Sequence, residues 1–261
     1  MLRSGRIASV AKRATILKVS GLRRAFGPNT IFDKFNLEVR TGEAIALTGR
    51  NGAGKSTLLR CLVGADRPDD GSVEVCGNAM TETSPEIRRD LATVIDDIDF
   101  FPDLSVVDLL ARAHGIADPD EVVDQVLEEL QLVPQSGQLP GTLSTGQQRR
   151  LALATAFVRP RKLLILDEPE QRLDTEGVSW LARRLKSERQ KGLAIIFASH
   201  EPELVDTVGN SGDPAWSSPR MSSLEAGADD FAYEQPRTEA EAWEDQRVVG
   251  LGKWCRSARR S

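Results

Sequence analysis

The segment Gly49-Arg50-Asn51-Gly52-Ala53-Gly54-Lys55-Ser56-Thr57 constrains this chain more than any other, because it fits the spacing G-x-x-x-x-G-K-[ST]. Gly49, Gly54, Lys55 and Ser56 hold the fixed places. Glycines let backbone N–H groups turn inward onto phosphate oxygens, where a side chain would collide. Lys55 can reach the β- and γ-phosphates of a nucleotide as a point charge, and the Ser56 hydroxyl can ligate Mg2+. Residues 43–48 (E-A-I-A-L-T) read as a short buried strand, and residues 55–63 (K-S-T-L-L-R-C-L-V) as a helix that Gly64 ends. Such a strand–loop–helix sets an anion at a helix N-terminus, where free N–H groups and the dipole favour it. Chance supplies the four fixed positions in on the order of one chain in a hundred. The flanking strand and helix lower that further, so binding of nucleotide phosphate is the first expectation.

Composition narrows the setting. At 261 residues and 28.6 kDa the chain can bury one substantial core. A hydrophobic content of 40% with 28% charged residues is ordinary for a soluble protein. The net charge of −5 and pI near 5.3 give no sign of broad nucleic-acid binding, and no nucleic-acid partner is expected. No run approaches the roughly 18 consecutive apolar residues of a membrane-spanning helix, so any work at a membrane would go through a partner. Cys61, Cys76 and Cys255 have neither metal-ligand nor redox spacing, and an odd count argues against a disulfide framework. A reducing cytoplasm is the expected compartment. Arg3, Arg6, Lys12 and Arg13 make residues 1–15 read as a basic, disordered leader without the apolar stretch of a secretory signal.

Short apolar runs alternate with helical patterns. Residues 16–19, 31–39, 71–76 and 91–95 read as strands, as do 163–166 (L-L-I-L) and 193–198 (L-A-I-I-F-A). Residues 105–132 carry apolar positions three and four apart, a helical pattern that includes His114 on one face. Strands apolar on both faces that alternate with helices indicate an α/β fold with a mostly parallel sheet. The helical block of about 85–158 reads as an inserted subdomain. Past residue 208 the periodicity is lost, and Trp216, Tyr233, Trp243 and Trp254 all lie there. Residues 209–261 are therefore expected to form a divergent, poorly ordered tail.

Residues 163–169 (L-L-I-L-D-E-P) form an apolar strand that ends in two acids. A carboxylate at such a strand end lies beside a phosphate loop, which assigns Asp167 to Mg2+ and Glu168 to polarising a water. Between these motifs lies Leu143-Ser144-Thr145-Gly146-Gln147-Gln148-Arg149-Arg150-Leu151. Here the chain resembles the ATP-binding cassette (ABC) family, whose signature reads L-S-G-G-Q. The resemblance covers roughly residues 16–206, with phosphate loop, signature, Asp-Glu strand and His200 in family order.

The resemblance implies an α/β P-loop NTPase of ABC nucleotide-binding-domain type over residues 16–208. That fold has a mostly parallel core sheet, an N-terminal antiparallel β part and an inserted α-helical subdomain. It implies ATP bound by Gly49, Asn51, Gly52, Ala53, Gly54, Lys55, Ser56 and Thr57, with Phe26 stacked on adenine. A homodimer or pseudo-dimer would sandwich two ATP molecules head to tail. Ser144, Gly146 and Gln147 of one subunit would then face the phosphate on Lys55 of the other, with Asp174 at the seam. Ser144 reads equally as an ordinary helix N-cap, and both roles can hold at once. Glu168, His200 and Lys55 would be catalytic, and Ser56, Asp167 and Asp96 would serve Mg2+.

Three positions depart from the family pattern. Thr145 replaces the first glycine of the signature pair, which predicts a restricted backbone and added bulk. Asp96 stands where the family carries a glutamine, and Gln171 where many relatives carry a serine. The function implied is an ATP-hydrolysing transporter subunit, peripheral at the cytoplasmic face of the membrane. It would dock a separate membrane-spanning subunit through its helical part and the groove at 96–104. The alternatives are a soluble ABC-type ATPase acting on a macromolecular complex, and a nucleotide-binding subunit with impaired turnover.

Overall fold

The computed structural model describes residues 13–81, 83–95, 98–115, 120–209 and 216–217. The chain divides into two compact units, Met1–Ala226 and Gly227–Ser261, and every described residue belongs to the first. Asp96, residues 1–12 and most of the expected tail, with Tyr233, Trp243 and Trp254, lie outside the described residues.

An antiparallel hairpin of β1 (Thr15–Phe26) and β2 (Asn29–Arg40) begins the fold. Both strands run further than the 16–19 and 31–39 that alternation predicts. Register shifts between Val19, Leu22, Arg24 and Ala25 carry the pairing through a stretch where alternation fails. After β3 (Ala44–Leu47) and α1 (Lys55–Val63), the strand β4 (Asp70–Val75) pairs antiparallel with β1, and β5 (Asn78–Ala79) pairs with β4. The order β2-β1-β4-β5 is the N-terminal antiparallel part.

The second sheet is parallel throughout. It comprises β3, β6 (Leu91–Val94), β7 (Leu163–Asp167), β8 (Ala194–Ala198) and β9 (Trp216–Ser217) in the order β6-β7-β8-β3-β9. Successive residues face opposite sides, and both sides are apolar. Ala46, Leu164, Leu166, Ile195 and Phe197 enter one hydrophobic cluster, while Ile45, Leu47, Leu163, Ile165 and Ile196 enter another. The second cluster is completed by α1, by α2 (Pro85–Asp90) and by β1 and β4. The first is covered by α3 (Val106–His114), α4 (Glu121–Glu129), α5 (Thr145–Val158), α6 (Thr175–Gln190) and α7 (Pro202–Gly209).

Two boundaries differ from the sequence expectation. β6 falls inside the block 85–158 yet belongs to the parallel sheet, so the helical part starts after Val94. Leu110 of α3, Val126 of α4 and Leu151 of α5 share one cluster with Leu166 and Phe197, so these helices use the sheet's core rather than a separate one. In the region past 208, β9 pairs with β3 at Ala44↔Trp216 and Ile45↔Ser217. Two residues are too few for periodicity to register, which is why sequence pattern predicts no strand there.

His114 ends α3, where its Nδ1 lies 2.5 Å from the Val158 carbonyl and its Nε2 lies 3.6 Å from Asp120 Oδ2. It ties helices together, as its place on a helical face suggests. Phe197 is fully buried at the centre of the parallel sheet. Phe197→Ala should cost about 3–5 kcal/mol of stability, read from the midpoint of denaturant unfolding; a loss under about 1 kcal/mol would contradict this core.

Candidate functional site

Strands β7, β8 and β3 are neighbours and run the same way, so their C-terminal ends meet on one side of the sheet. Open parallel sheets bind ligands outside those ends. Asp167 ends β7, His200 follows β8 by two residues, and the phosphate loop leaves β3. The loop residues Asn51, Gly52, Gly54, Lys55, Ser56 and Thr57 line a cleft of about 220 Å3 with Ile31 and Glu168. Gly54 sits at φ 88, and a Cβ there would collide with Ile31 Cγ2, so only glycine fits. No acidic side chain lies in the first turn of α1 and none caps it, which leaves its N-terminal amides facing the cleft. Gly49 and Ala53 shape the loop: the Gly49 carbonyl accepts from Lys55, and Ala53 N donates to Arg50 O at 3.3 Å.

Lys55 is only 5% exposed. Its Nζ donates to the carbonyls of Gly49 at 2.9 Å and Arg50 at 3.0 Å, and lies 3.0 Å from His200 Nε2. An ammonium has donors only, so Nε2 accepts and the ring proton sits on Nδ1. Burial pulls the Lys55 pKa below its ordinary value, against the opposing pull of the Glu168 and Asp167 carboxylates. His200 Nε2 also stands 3.7 Å from Glu168 Oε1. Lys55 thus bonds His200 and attracts the Glu168 carboxylate, which gathers the three side chains into one group.

Glu168 occupies a strained turn. Its φ of 42 lies in the left-handed region that non-glycine residues rarely enter. Three things hold it there. Its N–H donates to Ala198 O at 2.9 Å, the Gln171 amide donates to its Oε2, and Arg149 of α5 donates to its carbonyl at 2.6 Å. The buried Arg149 guanidinium also donates to the Asp167 carbonyl at 2.8 Å and the Pro169 carbonyl at 3.4 Å. Asp167 is 9% exposed and shares a second cleft, of about 630 Å3, with Ser56, Glu168 and Gln171. Ser56 and Asp167 therefore offer two hard oxygen donors to one space, a set that fits Mg2+ completed by phosphate and water. Among the described residues no cluster of three or more His, Cys, Asp or Glu could hold a metal unaided.

The signature residues lie elsewhere. Ser144 caps α5: its Oγ accepts from Gln147 N at 3.3 Å, while Ser144 N donates to Gln147 Oε1 at 2.9 Å. Thr145 is the first helical residue, is exposed, and is absent from the positive-φ positions. The backbone restriction expected of a β-branched residue therefore carries no penalty here. Gly146 has a tighter reason to be glycine, since a Cβ would sit 3.1 Å from the Arg172 carbonyl. Ser144, Gly146 and Gln147 line neither cleft. Phe26 also lies outside both; its ring is 49% exposed and carries the Arg24 guanidinium 4.5 Å from its centroid. Asp174 caps α6 through Gly177 N and receives Arg150 Nη2 at 3.0 Å.

Sequence reasoning missed Arg149, Ile31 and Glu170. Arg149 had a signal: it shares a helical face with the buried Ala152, Leu153 and Ala156, and a cation there needs acceptors.

A family model described as ABC transporter matches residues 32–171, more than half of the chain. The chain belongs to the ABC transporter family. The span matched takes in the phosphate loop, the signature and the Asp167-Glu168 pair, and His200 lies past its end. Among similar proteins, spermidine/putrescine import ATP-binding protein PotA of Pseudomonas aeruginosa is 34% identical over 192 residues, covering 71% of this chain and 53% of PotA. Bacitracin transport ATP-binding protein BcrA of Bacillus licheniformis is 32% identical over 204 residues, covering 75% of this chain and 66% of BcrA. The chain thus spans about half the length of PotA. A solved structure described as the ATP-binding subunit of an ABC transporter superposes with a TM-score of 0.64 at 26% identity, covering 71% of this chain and 80% of that one. The fold is the family's nucleotide-binding domain.

Arg149→Met keeps the length of the side chain but removes the donors to three carbonyls at the β7 exit. It should cost about 2–3 kcal/mol, the scale of a buried charge-assisted hydrogen bond. Denaturant unfolding checks this, and an unchanged midpoint would mean that the turn holds without the clamp.

Proposed function

We propose that this chain is the ATP-binding and ATP-hydrolysing subunit of an ABC transporter, driving a separate membrane-spanning partner through ATP-dependent dimerisation. The observation that carries the reading is the meeting of Lys55, Glu168 and His200 at three adjacent strand ends beside the glycine-lined cleft.

The chemistry is in-line attack of water on the γ-phosphate. Glu168, partly exposed and aimed by its strained turn, orients the water and accepts its proton as the bond to ADP breaks. His200 aligns the same water and contacts the γ-phosphate. Lys55 exchanges acceptors: its donors leave the neutral carbonyls or the imidazole for phosphate oxygens, and bonds to an anion are roughly twice as strong. Ser56 and Asp167 would hold Mg2+, which when bound neutralises charge on the phosphates. Phe26 would stack adenine on the ring face away from Arg24.

The second subunit would supply Ser144, Gly146 and Gln147, which line neither cleft of their own chain. The first amides of a helix lack intrahelical acceptors, and the capping box takes up that of Gln147. The amides at Thr145 and Gly146 are thus placed to meet an anion from outside. The membrane partner would enter a cleft of about 320 Å3 lined by Ile98, Phe100, Pro102 and Gln148, beside the exposed Phe101. No described helix is long and apolar enough to cross a membrane, so a membrane role needs that partner and would place this subunit at the cytoplasmic face. One contact favours a second reading, a nucleotide-binding subunit with impaired turnover: the Gln171 amide rests on the Glu168 carboxylate and competes with water for it.

Mg2+-dependent phosphate release, measured across a protein concentration series, tests the main reading. The rate per subunit should rise with concentration. Glu168→Gln should lower it roughly 10²- to 10⁴-fold while ATP still binds, and an unchanged rate would remove Glu168 from the mechanism. Lys55→Ala should weaken ATP binding itself. Gln171→Ser separates the two readings: a clear rise in kcat at constant ATP affinity would favour the restrained subunit. Copurification with a multi-spanning membrane protein is the expected sign of the transporter partner.

A further inference from the structure

The loop that carries His200 is held by one carboxylate and by one backbone bond, from Ser199 N–H to the Leu47 carbonyl at 3.3 Å. Glu170, two residues past the candidate base, turns back toward the end of β8. Its Oε1 accepts from Ser199 Oγ at 2.6 Å and from the His200 backbone N–H at 3.3 Å. Ser199 is 1% exposed, and its Oγ in turn accepts from Glu201 N at 3.0 Å. The hydroxyl thus donates its one proton to Glu170 and takes the Glu201 N–H on a lone pair. The second carboxylate oxygen, Oε2, is buried and has no hydrogen-bond partner among the described residues. A desolvated carboxylate is costly unless donors meet it, and the donors that meet this one come from residues 199 and 200.

The segments on either side do not depend on Glu170. β8 is fixed by its pairing with β7 and β3. α7 is fixed by the burial of Leu204 and Val208 and by the hydrogen bond from Ser179 Oγ to Glu203 Oε1 at 2.6 Å. Between these anchors residues 199–201 carry the imidazole, which must stand 3.0 Å from Lys55 and 3.7 Å from Glu168 at once. We propose that Glu170 is a positioning residue for His200, its carboxylate fixing the backbone that sets the imidazole between Lys55 and Glu168. For turnover this rests on the reading of His200 as part of an ATP-hydrolysing site. For the placement of the ring it rests on the hydrogen bonds alone.

The chain contains two histidines, His114 and His200, so the ring nitrogens can be followed by 15N-labelled histidine NMR, with His200→Ala as the assignment control. Lys55 donating to Nε2 holds the ring as the Nδ1-protonated tautomer, which separates its two nitrogen shifts. In Glu170→Ala the His200 shifts should move toward the values of a ring exchanging between tautomers, while those of His114 stay put. The kcat for ATP should fall roughly 10- to 100-fold, the scale of a misplaced catalytic group, with the affinity for a fluorescent ATP analogue held within about threefold. Glu170→Gln keeps an Oε1 acceptor for both donors and should recover most of the kcat and the wild-type His200 shifts. Unchanged His200 shifts in Glu170→Ala would overturn the proposal, as would a loss that moves both histidines and the unfolding midpoint together. A wild-type protein that binds ATP but releases no phosphate even with a membrane partner bound would defeat the hydrolytic reading, and the NMR comparison would still decide the role of Glu170.

Discussion

Parallel pairing of β7, β8 and β3 is the constraint from which the site follows. Three strands running the same way deliver three different loops to one edge, whatever the sequence distance between them. Asp167, His200 and Lys55 are far apart in the chain, yet register places Asp167 opposite Ala198 and Leu47 opposite Ala198. Each strand need only end at the same level for the groups that follow to converge. The apolar filling on both sides, from Phe197 and Leu166 on one and Ile196 and Ile165 on the other, fixes that level. A one-residue slip would send every one of these side chains to the wrong side.

Buried charge ties the strand ends to the helices around them. Lys55, Arg149 and Asp167 are each exposed by less than a tenth, and each is matched by backbone or side-chain groups of opposite polarity. Arg149 spends its donors on three successive carbonyls at the β7 exit and so ties the helix that begins at the signature to the turn that holds Glu168. A displacement of α5 is therefore felt at residues 167–169 through direct bonds. Lys55, by contrast, is bonded to neutral acceptors that an anion can replace. One cation bridges two elements, while the other is held by the carbonyls of its own loop and by His200.

Sequence captured the parts whose chemistry is local. The glycine spacing around Lys55, the apolar strands, the Asp167-Glu168 exit and the helix start at Ser144 each depend on a few consecutive residues. The parts it missed depend on contacts across the chain. Arg149 meets Asp167 18 residues away, and Glu170 meets Ser199 29 residues away. No local pattern marks such pairs. The membership of β6 in the parallel sheet and the pairing of β9 are likewise settled by neighbours rather than by periodicity. Phe26 was legible as an aromatic near a strand end, but its partnership with Arg24 was not.

The departures from the family signature carry unequal weight once their backbone context is known. A glycine matters where a Cβ has no room or where φ is positive, and Thr145 meets neither condition. It starts a helix in an exposed position, so its methyl and hydroxyl face outward. Gly146 is packed against the Arg172 carbonyl, in a turn where Arg172 itself has a φ of 64. A side chain at 146 would press on that turn, and Gln171 beside it reaches the Glu168 carboxylate. The second glycine of the signature thus bears on the candidate base within its own chain, independently of any partner. The first glycine has no such path, which is why its loss to threonine leaves the helix start and the Glu168 turn intact.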